Sequence, residues 1–199
     1  MGYSSWGMTK FRYASLVAVG LAYLFLAQRD AVGLSIVGED NRYFPPHSYR
    51  SYIYDFIRGM ESVPPSGKVN LADALHRLAE RISRRSMVIV LSDLLEDPDA
   101  LGNALHHIVY AKNELVVFQI LDPRELEFQL VHPSVLVDVE DGERLVVYGQ
   151  DEVMSHNAGM RRMTDGYRKL CRRWGVDYTL ADTKIPFDDL LIRFLGRRR

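Results

Sequence analysis

Apolar positions along the 199-residue chain fall into two patterns, one at helical spacing and one of short continuous runs, and the two alternate. Residues 10–28 read as a helix that is apolar nearly all round, the kind that sits inside a core. Residues 31–37 (AVGLSIV) read as a short strand and 42–44 as a smaller one ahead of Pro45-Pro46. A helix follows to Arg58, with Ser48 as its expected cap and Tyr52, Ile53, Phe56 and Ile57 on its apolar face. Pro64, Pro65 and Gly67 mark a loop. Asn70 is placed to cap a helix over 71–83, in which Leu71, Leu75, Leu78, Ala79 and Ile82 recur at helical spacing.

The runs at 87–91 (MVIVL) and 115–121 (LVVFQIL) are continuous, as expected of parallel strands buried on both faces. Between them, Asp97-Pro98 opens a helix to about Ala111. Residues 135–139 and 144–147 flank Asp141-Gly142, a hairpin signal. A long helix over 151–174, ended by Gly175, precedes a last strand at 176–180 and a closing helix at 187–195. This alternation predicts one α/β domain over residues 1–199, a mostly parallel, open Rossmann-type sheet with helices on both faces. The chain opens on a helix where such sheets usually open on a central strand. A sheet containing both 31–37 and 87–91 wants a strand between them, and residues 1–9 do not supply it.

Composition narrows the class. Nearly half the residues are hydrophobic and about a quarter charged, the balance of an ordinary folded domain. The net charge of −1 selects no polyanionic partner, so no nucleic acid is expected. From Asp151 onward, 11 Lys and Arg face 7 Asp and Glu. The basic run Arg161-Arg162, Arg168-Lys169, Arg172-Arg173 beside Trp174 reads first as a solvated helix face. The sharper alternative is a docking strip for an acidic partner or a membrane surface. The single cysteine, Cys171, excludes an intrachain disulfide and fits a reducing, cytoplasmic location. Residues 16–27 (LVAVGLAYLFLA) imitate a signal peptide's core, yet they are shorter than the roughly 20 residues of a membrane span and lack a good cleavage site.

Candidate chemistry gathers where parallel strands end, since ligands of open α/β sheets bind at the strands' carboxyl ends. Ser92 and Asp93 follow the 87–91 strand, then Glu96, Asp97 and Asp99. The loops expected beside them carry Ser4, Ser5 and Asn70. Hydroxyls and carboxylates converging from three loops are the donor set of an octahedral Mg²⁺ site.

These segments together resemble a known family. The order MGYSS, LAYLFLAQRDAVGL, PPSGKVNLADALHRLAERISRRS, MVIVLSDLLEDP and DYTLADTKIPFDDLL is similar to a bacterial von Willebrand factor A-like group. That group is catalogued as domain of unknown function 58 and found beside MoxR-type AAA+ ATPases. The resemblance covers essentially the whole chain and implies a non-catalytic protein-interaction module that acts with such an ATPase on client proteins. It also implies a metal-ion-dependent adhesion site built from three loops. The first loop's Asp-x-Ser-x-Ser is followed in the family by a Met-Gly-Tyr-like segment, so by this match the motif lies upstream of Met1. The second loop's Gly-x-Thr-Asp/Asn-Leu pattern matches residues 67–71, where Val69 stands in the threonine's place and offers no oxygen. Asp93 matches the third loop's aspartate. Either the start falls at an internal methionine or the member is degenerate, and Val69 argues for real degeneration in both cases. One carboxylate makes a poor Mg²⁺ site, so no firmly bound cofactor is expected. The plainer reading of Asp93 is a carboxylate hydrogen-bonded to loop amides. The expected partner surface comprises Ser4, Ser5, Val69, Asn70 and Asp93.

Other chemistries fit less well. Gly67-Lys68 lacks the phosphate loop's earlier glycine (Ser62 stands there) and its Ser/Thr (Val69). Among six histidines, His106 and His107 are adjacent and point apart on a helix, and His76 reads as a boundary residue. The alternative function is a metal-dependent hydrolase using the acidic loop from Asp93 to Asp99, or a set such as Ser92, Asp93 and His132.

Overall fold

A computed structural model describes residues 1–38, 41–63, 70–129, 134–137, 144–147 and 150–197. In chain order its elements are α1 (Lys10–Ala27), β1 (Val32–Ile36), β2 (Arg42–His47), a 3-10 turn (Arg50–Tyr52), α2 (Ile53–Glu61), α3 (Leu71–Arg81) and β3 (Met87–Ser92). Then come α4 (Pro98–Tyr110), β4 (Glu114–Leu121), α5 (Pro123–Leu126), β5 (Ser134–Val137), β6 (Arg144–Val147), α6 (Gln150–Arg173), β7 (Asp177–Asp182) and α7 (Phe187–Gly196).

The continuous apolar runs become the central layer, a three-stranded parallel sheet in the order β3-β4-β7. Strand β4 lies in the middle and is buried from Leu115 to Leu121, which explains why its sequence does not alternate. Its side chains point to opposite faces in turn. Val116, Phe118 and Ile120 pack with Tyr13, Val17 and Leu21 of α1 and with Leu190, Leu191 and Phe194 of α7. Leu115 and Val117 pack on the other face with Leu75 of α3, Leu101, Leu105 and Ile108 of α4, and Tyr167 and Cys171 of α6. Helices therefore cover both faces of the sheet, as the alternation predicts.

The expected place of the 31–37 strand is overturned. β1 does not join the parallel sheet; it pairs antiparallel with β2 in a separate ribbon. Its alternating exposure is that of a strand buried on one face, unlike the run in β4. Ile36 covers that face against Ala22 of α1 and Tyr52, Phe56 and Met60. Helix α1 is thus gripped from two sides, by the sheet and by this ribbon with α2, and its near-complete apolarity follows. It is an 18-residue helix that starts at Lys10, longer than the 16–27 run, and by length and composition alone it is apolar enough to cross a membrane, a test that a core helix also passes. In this fold its face with Tyr13, Val17 and Leu21 lies in the core.

Three local expectations also shift. β2 runs through Pro45-Pro46, as proline can on a sheet edge. Ser48 caps nothing; α2 starts after the 3-10 turn with no side-chain cap. There the Tyr52 hydroxyl donates to the Pro45 carbonyl at 2.7 Å, and the Tyr52 ring packs on His47, Tyr49 and Phe56. α5, a one-turn helix, was not expected. The hairpin of β5 and β6 is present, while Asp141-Gly142 lies outside the described residues. Cys171 is buried in α6, and burial pushes its thiol up to about 11, which keeps it a protonated, unreactive packing group. Arg161, Arg162, Arg168, Lys169, Arg172 and Arg173 line the exposed side of α6.

Among the described residues, the Tyr13 hydroxyl is a buried side-chain polar atom with no hydrogen-bond partner. Burial, then the charges of Asp182, Asp188 and Asp189, push it up to about 12. An unpaired buried hydroxyl costs roughly 1–3 kcal/mol of desolvation. Tyr13→Phe removes that group without changing the ring, so the expected outcome in urea unfolding is equal or higher stability, by up to about 1 kcal/mol.

Candidate functional site

The register β3–β4–β7 brings three strand ends side by side, with Ser92 opposite Gln119 and Leu121 opposite Asp182. The next residues, Asp93 and Asp122, therefore project at one edge of the sheet. The start of α1 lies against that edge. Thr9 caps this helix by accepting from the Arg12 amide at 3.2 Å, which makes Lys10 its first residue. Lys10 is 1% exposed. Its Nζ donates to Asp93 Oδ2 at 2.9 Å and to Glu125 Oε1 at 2.6 Å. The Met1 amino group also reaches Asp93 Oδ2, at 3.1 Å.

Glu125 is held in turn by the capping box of α5. The Asp122 amide donates to Glu125 Oε2 at 2.9 Å, and the Arg124 amide donates to the Asp122 carboxylate at 2.9 Å. Asp122 is fully buried and accepts two more bonds from Ser5, one from its amide at 2.8 Å and one from its hydroxyl. The result is a connected polar cluster, from Ser5 through Asp122 and Glu125 to Lys10 and Asp93. Buried charges persist only when paired and hydrogen-bonded in this way.

The loop after β3 is pinned separately. Leu94 has φ +50°, in the left-handed region that a leucine rarely adopts, while its side chain is buried. Burial of that side chain and fixed neighbours hold the turn. Gln119, fully buried in β4, donates to the Asp93 carbonyl at 3.1 Å and accepts from the Tyr178 hydroxyl at 2.6 Å. The Tyr167 hydroxyl donates to the Glu96 carbonyl at 2.8 Å. The Glu96 carboxylate accepts from the Leu71 amide at 3.2 Å, joining this loop to the start of α3. Such strained residues gather at sites where surrounding structure over-determines the backbone.

Electrostatics follow from this packing. Burial alone would raise the Asp93 carboxyl, but the ammonium groups of Lys10 and Met1 outweigh it and hold the carboxyl below the usual aspartate value. Burial alone would lower Lys10, but Asp93 and Glu125 outweigh it and hold the ammonium above the usual lysine value. Asp93 and Lys10 are thus both charged across the neutral range.

The residues expected at the site fare differently. Asp93 lies at the strand end as read, but its carboxylate meets ammonium groups and not loop amides. Ser5 turns inward onto Asp122. Ser4 stays at the rim, its hydroxyl accepting from the Trp6 and Gly7 amides at 3.3 and 2.8 Å. Asn70 caps α3 through the Asp73 amide at 3.0 Å, and Asp97 caps α4 through the Asp99 amide at 2.7 Å. The Ser92 hydroxyl accepts from the Leu94 amide. Val69 and His132 lie outside the described residues. Lys10, Asp122 and Glu125 were missed. The D-P-x-E pattern directly after a buried strand is a legible capping signal, whereas nothing local to Lys10 marks it as buried. His76 and His107, read as unrelated, meet across α3 and α4.

Mg²⁺ does not fit the residues brought together here. The inner oxygen of Asp93 is taken by a fixed ammonium, and a divalent ion beside Lys10 Nζ meets like charge in a buried setting. The oxygens of Asp122 are spent on amide and hydroxyl donors.

Comparison with known proteins gives a family. The family model described as "Protein of unknown function DUF58" matches residues 1–163. The uncharacterized proteins Rv1480 of Mycobacterium tuberculosis and Mb1516 of Mycobacterium bovis are each 32% identical over 101 residues, covering 49% of this chain. The match takes up 31% of either relative, so it spans about a third of their length. Among solved structures, an aerotolerance-related membrane protein from Bacteroides fragilis, carrying multiple mutations to serines, is similar at 14% identity and a TM-score of 0.45. That similarity covers 79% of this chain and 89% of the other.

Lys10→Met removes the buried ammonium from two half-buried carboxylates, leaving Asp93 the Met1 amino group and Glu125 the Asp122 amide, and is expected to cost about 1–3 kcal/mol at pH 7. The folded-state carboxyl of Asp93 lies below its unfolded value, so its stabilisation is present above about pH 4 and is lost as pH falls through the folded value. Lys10, shifted upward, contributes fully below about pH 10 and loses that contribution as pH rises through its folded value. Urea unfolding of both proteins at neutral pH and near pH 3 checks this: the gap between them should narrow in acid. An unchanged gap would refute the charge pairing.

Proposed function

This chain belongs to the DUF58 family, and from that premise we propose that it is a non-catalytic protein-interaction domain of von Willebrand factor A-like, Rossmann type. Its partner is a MoxR-type AAA+ ATPase, and the pair acts in the assembly or activation of client proteins. The observation that carries this reading is the Lys10 ammonium at Asp93. A cation supplied by the chain itself stands where an adhesion-type site would hold Mg²⁺, so the site is degenerate and grips its partner without metal. The alternative hydrolase needs free carboxylates in the loop from Asp93 to Asp99. Those of Asp93, Glu96 and Asp97 are engaged with Lys10, the Leu71 amide and the Asp99 amide.

Recognition then falls to the rim of the strand ends. Trp6 is 46% exposed and Leu95 is 50% exposed, on loops that flank the buried cluster. The Trp6 ring nitrogen donates to the Thr183 hydroxyl at 3.1 Å, which presents its apolar surface in a fixed pose. A pre-positioned aromatic beside polar groups such as Ser4 and Asn70 has the composition of an interface hot spot. The proposal includes a cytoplasmic location, where an ATP-driven partner works.

The test is a binding titration of the chain against a MoxR-type ATPase from the same genome, with and without Mg²⁺ supplied to the chain's side. Expected are binding that Mg²⁺ does not change through this chain, and an affinity loss of about tenfold or more for Trp6→Ala with Leu95→Ala, at unaltered circular dichroism. Metal-stimulated hydrolysis that Asp93→Asn abolishes, without contact to the ATPase, would replace this reading with the hydrolase.

A further inference from the structure

Away from the strand ends, His76 of α3 and His107 of α4 face each other with their Nδ1 atoms 3.0 Å apart. Their rings are half-buried, with centroids 5.2 Å apart and planes inclined at 43°. The backbones that carry them are fixed by the core between these helices, where Leu75 and Ala79 pack with Leu101, Ala104, Leu105 and Ile108. Two ring nitrogens are therefore held face to face by rigid elements, as the ligands of a metal centre must be.

Without an ion, one ring must donate its Nδ1 proton to the other. If the donor ring carries its proton on Nε2 instead, both Nδ1 lone pairs face the same point. Metal–imidazole bonds are about 2.0–2.1 Å, so a cis pair at a right angle spans about 3 Å, while a tetrahedral pair spans about 3.4 Å. The 3.0 Å separation is that of an N–H···N hydrogen bond and lies near both spans, so the order of ions follows imidazole affinity, in which Cu²⁺ leads. Among the described residues no third His, Cys, Asp or Glu joins them, so water completes the coordination and the ion exchanges readily. Hard Mg²⁺ has no oxygen ligand from this pair.

We propose that His76 and His107 form a two-histidine site for a late first-row divalent ion, Cu²⁺ or Ni²⁺ before Zn²⁺, that staples α3 to α4. The staple reaches the candidate surface through α3, whose first residue, Leu71, is bonded to Glu96. An ion bound only by the folded state stabilises it by an amount that grows with the logarithm of ion concentration above Kd.

The experiment uses the whole chain without an affinity tag, with NiCl₂, CuCl₂, ZnCl₂ and MgCl₂ as probes. Equilibrium dialysis and thermal melting are read on wild type, His76→Gln, His107→Gln and His106→Gln. Expected are one Ni²⁺ or Cu²⁺ per chain and a Tm that climbs with ion concentration, a weaker effect of Zn²⁺, and none of Mg²⁺. Each of His76→Gln and His107→Gln should lower the Ni²⁺ affinity by at least the roughly tenfold that loss of an outer-shell partner alone costs. His106→Gln, whose ring packs on Trp174, should bind as wild type does. Absence of Ni²⁺ and Cu²⁺ binding overturns the proposal, as does binding that survives in both His76→Gln and His107→Gln. The glutamine variants keep a polar group at the helix interface, and their melting curves without metal report whether they fold.

Discussion

An ammonium group cannot sit in a protein interior alone. Lys10 sits there with its Nζ between the carboxylates of Asp93 and Glu125, and the surrounding structure is what makes that position tolerable. Asp93 comes from the end of β3, Glu125 from the one-turn helix after β4, and Lys10 from the first turn of α1. Three segments distant in sequence are fixed to one another by two ion pairs. Each carboxylate is further constrained: Glu125 by the capping box with Asp122, Asp93 by a backbone carbonyl bonded to Gln119. Loss of the lysine would leave like charges facing one another in a half-buried setting, where their repulsion is stronger than in bulk water.

This constraint also explains how the amino-terminal loop is ordered. Residues 1–9 contain no helix or strand, yet Ser5 is held by the fully buried Asp122 and Trp6 by Thr183. The loop is fastened to the sheet's carboxyl edge at the ends of β4 and β7. The same edge carries the left-handed Leu94 and the Glu96 link to α3. A surface assembled from such separate loops stays in register because a parallel sheet fixes where its strands end.

In the proposed reading, this chain of the DUF58 family brings a lysine to the place that adhesion-type domains give to a divalent ion. A fixed ammonium differs from a metal in one physical respect that matters for binding. This one is buried and already paired with two carboxylates, so it presents no exposed cation to a partner's acidic group, and in this reading affinity comes from shape and apolar contact. The exposed Trp6 and Leu95 at the rim suit that requirement.

The pattern of apolar residues by itself determined the helices other than α5, the parallel strands β3, β4 and β7, and the layering of helices on both faces. A continuous run such as LVVFQIL can be satisfied only by burial on both sides. It also located Asp93, since the residue after a buried parallel strand falls at the ligand edge whatever the loop does next. It misplaced β1, because alternation tells which face of a strand is buried but not which strand lies beside it. β1 chose its neighbour β2, under α1 and α2. Lys10 was illegible for a related reason: its position in a first helical turn is ordinary, and its burial depends on two carboxylates that arrive from 83 and 115 residues away. The pairing of His76 with His107 was hidden in the same way, since each histidine is unremarkable on its own helix. Period and composition are properties of short segments, whereas partners for charge and for lone pairs are assigned only when the sheet and its helices close around them.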